Sequence, residues 1–280
     1  MIFRLGTTLK LGLTPSTRVA IIAVTAVLYA IGKGLTAYVP TPWGVGQLLV
    51  GIFIPAFFAV VSDTLSVAIG AGLGTFIGDS LFLTPLGGTN PALSLIAGVP
   101  ANFIGFLLFG WFVKRYRSWS AFVAATISFI TVGNLIAASS VVLFGAAVFT
   151  PVNYLVNHFN LAGLVFGFTV FWNMTSVPAI IVGVPILVRA FGPYFGRSRI
   201  LQNRPDWSYG IDGRHTVIAV TFGALFLLLG AAFLILDPNS LSLWPGLTSW
   251  LVLASAIVLI FAPITGIVAG TKLRAKPAAN

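Results

Sequence analysis

Apolar residues run along this chain in eight long blocks, over residues 19–39, 45–61, 64–83, 92–113, 121–149, 161–188, 217–236 and 249–270. Each comes near the ~20 residues a helix needs to cross a hydrocarbon layer. Apart from Lys33 and Asp79, the charged residues are confined to the gaps. Thr14-Pro15-Ser16-Thr17 is a helix-start cluster ahead of the first block, and Ser62-Asp63 is a tight turn between the second and third. The block over 121–149 is long enough to tilt or to extend beyond the bilayer. The pattern predicts an all-α fold, a polytopic membrane helix bundle of about eight transmembrane helices.

Composition agrees with the pattern. Charged residues are only 7% of the 280, against roughly a quarter in a soluble domain, so lipid must be the main solvent. The chain has no cysteine, which excludes disulfides and thiolate chemistry. Residues 1–18 lack the short apolar core and small-residue cleavage site of a secretory signal, so the first membrane helix is expected to act as an uncleaved insertion signal.

The 15 basic residues add direction. Threaded through eight spans, all but Lys33 fall on one face. Arg4, Lys10 and Arg18 precede the first span; Lys114, Arg115 and Arg117 follow the fourth. Arg189, Arg197, Arg199, Arg204 and Arg214 follow the sixth, and Lys272, Arg274 and Lys276 follow the last. The opposite loops, over 40–44, 84–90, 150–160 and 237–245, hold no Lys or Arg. The positive-inside rule then places both termini in the cytoplasm of a multi-pass plasma-membrane protein. The net charge of +10 reads as orientation signals and contacts to anionic membrane lipid, not as a nucleic-acid surface. The polar stretch 191–214 divides a six-helix bundle, 1–190, from a C-terminal helix pair, 215–280.

Small residues mark two helix faces. Ala26 and Ala30 stand four apart in the first block, with Gly34 beyond them. Gly70, Gly74 and Gly78 make a groove free of side chains along the third, which ends in Gly78-Asp79. Such stripes let helix backbones approach closely, either inside the bundle or against a partner. No Gly-x-x-x-x-Gly-Lys-Ser/Thr pattern occurs, so the chain has no phosphate loop for ATP.

With its Ala26-x-x-x-Ala30 stripe, its Pro40-Thr41-Pro42-Trp43-Gly44 loop, a short second helix and a glycine-rich third, the chain resembles the substrate-binding S component of energy-coupling factor (ECF) transporters. The resemblance spans about residues 18–188; the family module has six helices, and this chain adds a seventh and an eighth. It implies a compact bundle that captures a vitamin or similar small-molecule micronutrient on the outer side. It also implies partners: a transmembrane scaffold subunit docked on Ala26 and Ala30, and separate ATPase subunits. The proline-framed loop would be a lid.

Candidate ligand contacts follow from polar groups at membrane depth. Lys33 and Asp79 lie toward the outer ends of their helices, where an unpaired charge is costly. They could pair, bind substrate, or both, or Lys33 could snorkel to headgroups. Lys33 also sits seven residues after Ala26, within about 20° of the same helix face. Turning Ala26 to a scaffold would turn Lys33 there too, unless Gly32 or Gly34 bends the helix. Asn102, Asn134 and Asn173 must face the protein interior, as helix-to-helix hydrogen bonds or as a pocket floor. Trp172 adjoins Asn173, and Pro178 and Pro100 free the carbonyls of Met174 and Ile96. Amides, free carbonyls and an aromatic face suit a flat heterocycle. Trp43 and Gln47 border the outer face, as do Tyr154, which reads as an interfacial anchor, and His158, which stands alone.

Components for catalysis are missing: there is no Glu and no Cys, and His158 and His215 fall on opposite faces. Neither an enzyme nor a metal site nor a cofactor is expected. Besides an importer subunit, two rivals remain: a stand-alone secondary carrier using Asp79 and Lys33, and a scaffold in which the polar residues only join helices.

Overall fold

The computed structural model describes residues 13–38, 40–41, 43–195, 197–202 and 205. The helix pair expected over 217–236 and 249–270 lies outside the described residues. Helices account for the described fold: α1 Pro15–Thr36, α2 Val50–Val61, α3 Thr64–Leu83, α4 Pro91–Tyr116, α5 Ala121–Ala147, α6 Thr150–His158 and α7 Leu161–Ala190. Five of these, α1, α3, α4, α5 and α7, are long and apolar enough to cross a membrane. The chain is a multi-pass membrane helix bundle.

Small residues decide which helices touch. Lipid tails are as apolar as leucine, so helices associate in a bilayer through close van der Waals packing. α1 and α3 run parallel in one register, with Gly70 against Ile22, Gly74 against Ala26 and Gly78 against Ala30. A Cβ added at Gly74 would lie 2.7 Å from the Ala26 carbonyl oxygen and 3.0 Å from its Cα. Gly105 of α4 and Gly133 of α5 meet in the same way, a Cβ on the first standing 3.4 Å from the Cα of the second.

Two expectations need correction. The second block is not helical from residue 45: α2 begins at Val50, and the preceding stretch is a folded loop with one bridge between Pro40 and Gln47. Gly46 explains the break, and Gly51 sets how closely the start of α2 meets α1. Gly46 takes a left-handed φ of 77° against Trp172, and a Cβ on Gly51 would strike the backbone of Gly32 at 2.6 Å. The outer loop expected over 150–160 contains α6, which starts on Thr150-Pro151 and buries Val152 and Leu155. Its far end carries Tyr154 stacked on His158, whose Nδ1 donates to the Tyr154 carbonyl at 2.8 Å.

One end of the bundle gathers basic residues. Lys114 of α4 donates to the Ser62 carbonyl, where α2 ends, and to Thr64 Oγ1 at 2.8 Å. The segment after α7 returns to the same turn, with Ser62 Oγ donating to the Ile200 carbonyl at 2.6 Å. Asp63 caps α3, accepting from Ser66 N at 3.0 Å and Ser66 Oγ at 2.7 Å. Burial pushes its carboxyl up, but the Ser66 bonds and the charges of Lys114 and Arg18 outweigh burial and hold it below its ordinary value. A lowered folded value makes the stabilisation complete above the unfolded value of about 3.9 and removes it as pH falls through the folded one. Asp63→Ala is therefore expected to cost about 1 kcal/mol at neutral pH. Melting in detergent should show that gap narrowing below about pH 4.

Candidate functional site

At the opposite, neutral end, helices and loops line a partly open cavity of about 90 Å³. Three of them open into π turns beside it, at Asp79–Leu83 in α3, Ser94–Gly98 in α4 and Thr126–Ile130 in α5. Each turn contributes to the wall, through Asp79, Ser94 and Ile130. A π turn widens the helix at the expense of its hydrogen-bond register and recurs at functional sites.

The polar wall begins with an ion pair. Ala26, Ala30 and Lys33 share a face of α1, and that face meets α3, so Lys33 Nζ reaches Asp79 Oδ1. Asp79 Oδ2 accepts from Ser94 Oγ at 2.6 Å. Lys33 sits in the last turn of α1, where the helix dipole favours a cation, and its ammonium lies 5.8 Å from the Tyr29 ring centroid. Tyr29 donates to Asn102 Oδ1 at 3.0 Å, and Asn102 Nδ2 donates to the Gly98 carbonyl at 2.9 Å. One network thus ties α1, α3 and α4 together. Both charged side chains are at least nine-tenths buried, so Lys33 does not snorkel.

A second network joins α5 to α7. Ser176 Oγ donates to the Trp172 carbonyl at 2.6 Å. Asn134 Nδ2 donates to Ser176 Oγ at 3.1 Å and to Asn173 Oδ1 at 2.7 Å. Asn173 Nδ2 is buried without a partner among the described residues.

The loop before α2 covers the cavity. Thr41 ties it into a hairpin, its N–H donating to the Gly46 carbonyl at 3.0 Å and its hydroxyl to the Val45 carbonyl at 2.7 Å. Gly46 N donates to the Gly88 carbonyl at 2.7 Å, and Leu49 N donates to Thr175 Oγ1 at 3.2 Å. The loop is thereby held to α7 and to the α3–α4 connection. Trp43 lies over Gly167, where a Cβ would meet its ring at 2.6 Å, and packs on Phe168 at 5.1 Å. Phe168 stacks in turn on Trp172 at 5.4 Å.

Of the sequence candidates, Lys33, Gln47, Asp79, Asn102, Asn134 and Trp172 all line this cavity. Asn173 stands behind Asn134, and Trp43 fastens the loop to α7 without lining the wall. Ala26 and Ala30 are 4% and 3% exposed against the glycines of α3. The docking role assigned to them does not fit this arrangement; the stripe is internal packing, because the α3 groove occupies it. Sequence reasoning missed Ser94, Ser176 and Gly88. Ser94 and Ser176 are polar positions inside apolar helices, a readable signal; Gly88 had none. Among the described residues, no three acidic or histidine side chains gather where a metal could sit.

Gly88 leaves room for the side chain of Gln47. A Cβ there would overlap the amide of Gln47, the end of a flexible side chain. Gly88→Ala should leave the fold stable within about 0.5 kcal/mol while moving Gln47 off its place. On a ligand-binding role for this cavity, the expected reading is loss of binding without a change in melting temperature.

The chain matches no family model, no curated protein and no solved structure.

Proposed function

We propose that this chain is a membrane-embedded substrate-binding protein for a vitamin or related small micronutrient, working as the capturing subunit of an ECF-type importer. The observation that carries this reading is the loop over residues 40–49. Its Val45 and Gln47 are buried at the neutral end without helical structure, and its backbone groups bond to Gly88 and Thr175. Irregular backbone at membrane depth is tolerated where it is buried in protein or lines a cavity. Three π turns and a polar wall at the same cavity support binding over simple helix packing. A scaffold protein has no need of them.

The cavity of about 90 Å³ is smaller than the ~150 Å³ that accommodates benzene. Capture of a micronutrient therefore goes with outward movement of the 40–49 loop. A scaffold subunit would dock on a face other than Ala26 and Ala30, and energy would come from separate ATPases.

The buried Lys33–Asp79 pair favours one second reading, a secondary carrier coupled to protons or ions. Two experiments separate these. Purification from the native membrane followed by mass spectrometry should find a small molecule and co-purifying ATPases. Uptake by the chain alone in liposomes, driven by a pH gradient, would establish the carrier instead. Absence of any bound small molecule and of any uptake would sink both.

A further inference from the structure

From the hydrogen-bond directions at the cavity floor, we infer that the ligand is an uncharged planar heterocycle presenting an N–H beside a carbonyl, as in a lactam, ureide or carboxamide. This deepens the binding reading above and rests on it.

The direction of the floor network is set by its end. The Trp172 carbonyl can only accept, so the single hydroxyl hydrogen of Ser176 is committed to it. Ser176 Oγ must then accept from Asn134, which turns the Asn134 NH₂ toward Ser176 and Asn173. The flipped amide would set two acceptors against each other. Asn134 is left with its carbonyl oxygen, unpartnered among the described residues, as the polar atom it can offer to the cavity it lines. A ligand there must donate.

Gln47 faces the same space from the loop. It is 4% exposed, lines the cavity and makes no side-chain hydrogen bond among the described residues. Its amide carries one donating and one accepting side, which pair with a ligand edge of adjacent C=O and N–H. Trp172 and Phe106 add aromatic faces to the wall.

Charge completes the inference. Lys33 and Asp79 already neutralise each other in the wall, with Ser94 on the second carboxylate oxygen. An anionic ligand would have to take Lys33 from Asp79 and leave a buried carboxylate without its cation; a cationic one would do the reverse. A neutral ligand enters with the pair intact.

The test uses two matched sets with the full-length protein in detergent: uracil, 1,3-dimethyluracil and orotate; nicotinamide, N,N-dimethylnicotinamide and nicotinate. Binding is read by native mass spectrometry and thermal shift, beside identification of any co-purified compound. The expected result is a neutral N–H parent binding at least tenfold tighter than its N-methylated and carboxylate analogues. Gln47→Leu should weaken it at least tenfold with melting unchanged, and Asn134→Ala likewise if it folds. Equal binding of an N-methylated analogue overturns the inference. So does preference for a carboxylate that vanishes in Lys33→Met/Asp79→Asn, while small-molecule binding itself would stand. If none of the six binds, the co-purified compound decides: neutral with an N–H beside a carbonyl supports the inference, and anything else overturns it. No bound compound of any kind would overturn the binding reading too.

Discussion

Asp79→Ala alone is expected to destabilise the bundle by about 3–5 kcal/mol, the usual cost of leaving one partner of a buried ion pair uncompensated. The Lys33 ammonium would remain between α1 and α3 beside the Tyr29 ring, without an anionic partner among the described residues, and Ser94 would lose its acceptor. Lys33→Met should cost a similar amount, because among the described residues the Asp79 carboxylate would keep only the Ser94 hydroxyl. The double variant Lys33→Met/Asp79→Asn should recover most of the loss. Its amide oxygen can still accept from Ser94, and no charge is left buried. Replacing a whole buried pair by neutral groups of similar size is often close to neutral for stability. Thermal or denaturant melting in detergent reads the three variants directly. If the double variant melts no higher than either single one, Lys33 and Asp79 do not act as one electrostatic unit.

The second large effect concerns the α1–α3 crossing. Ala26→Leu should disrupt the bundle, because Ala26 lies against the backbone of α3 and the nearest atoms cannot rotate away. Extra methylenes in a packed core cost about 1–3 kcal/mol when side chains can adjust. Here α1 and α3 would have to move apart, although their glycines set the spacing, so the loss should reach or exceed the top of that range. Ligand binding should fall with folding, since the same displacement pulls Lys33 from Asp79. Val27→Leu, one residue away on a face 52% exposed, should change stability by less than about 0.5 kcal/mol. Size-exclusion profiles and melting compare the two. A folded Ala26→Leu protein that binds ligand normally would restore the docking role to that stripe.

Much of this fold could be read from residue patterns. The third block, 64–83, appears at those limits as α3, and the long blocks at 92–113, 121–149 and 161–188 appear as α4, α5 and α7 with ends moved by a few residues. Apolar length and basic flanks suffice there, because a helix satisfies its own backbone in lipid whatever its neighbours are. The candidate site was partly readable for the same reason. Lys33, Asp79, Asn102 and Asn134 are conspicuous as polar groups in apolar helices, and such groups must turn inward.

Partnership was a different matter. The stripe of Ala26 and Ala30 was compatible with a scaffold or with α3, since small residues invite any close backbone and name none. Spatial adjacency resolved it in favour of Gly74 and Gly78 and thereby also explained Lys33. The same face that seemed wrong for a ligand contact is the one that meets Asp79. Residues 45–49 were apolar enough to pass for helix, and their folding into a loop depends on Trp172, Gly88 and Thr175, distant in sequence. Periodicity and charge report on each segment's relation to solvent, which is local. Which backbone occupies a groove, which way an amide points and how much room is left between helices depend on contacts among segments, and these exist only after packing.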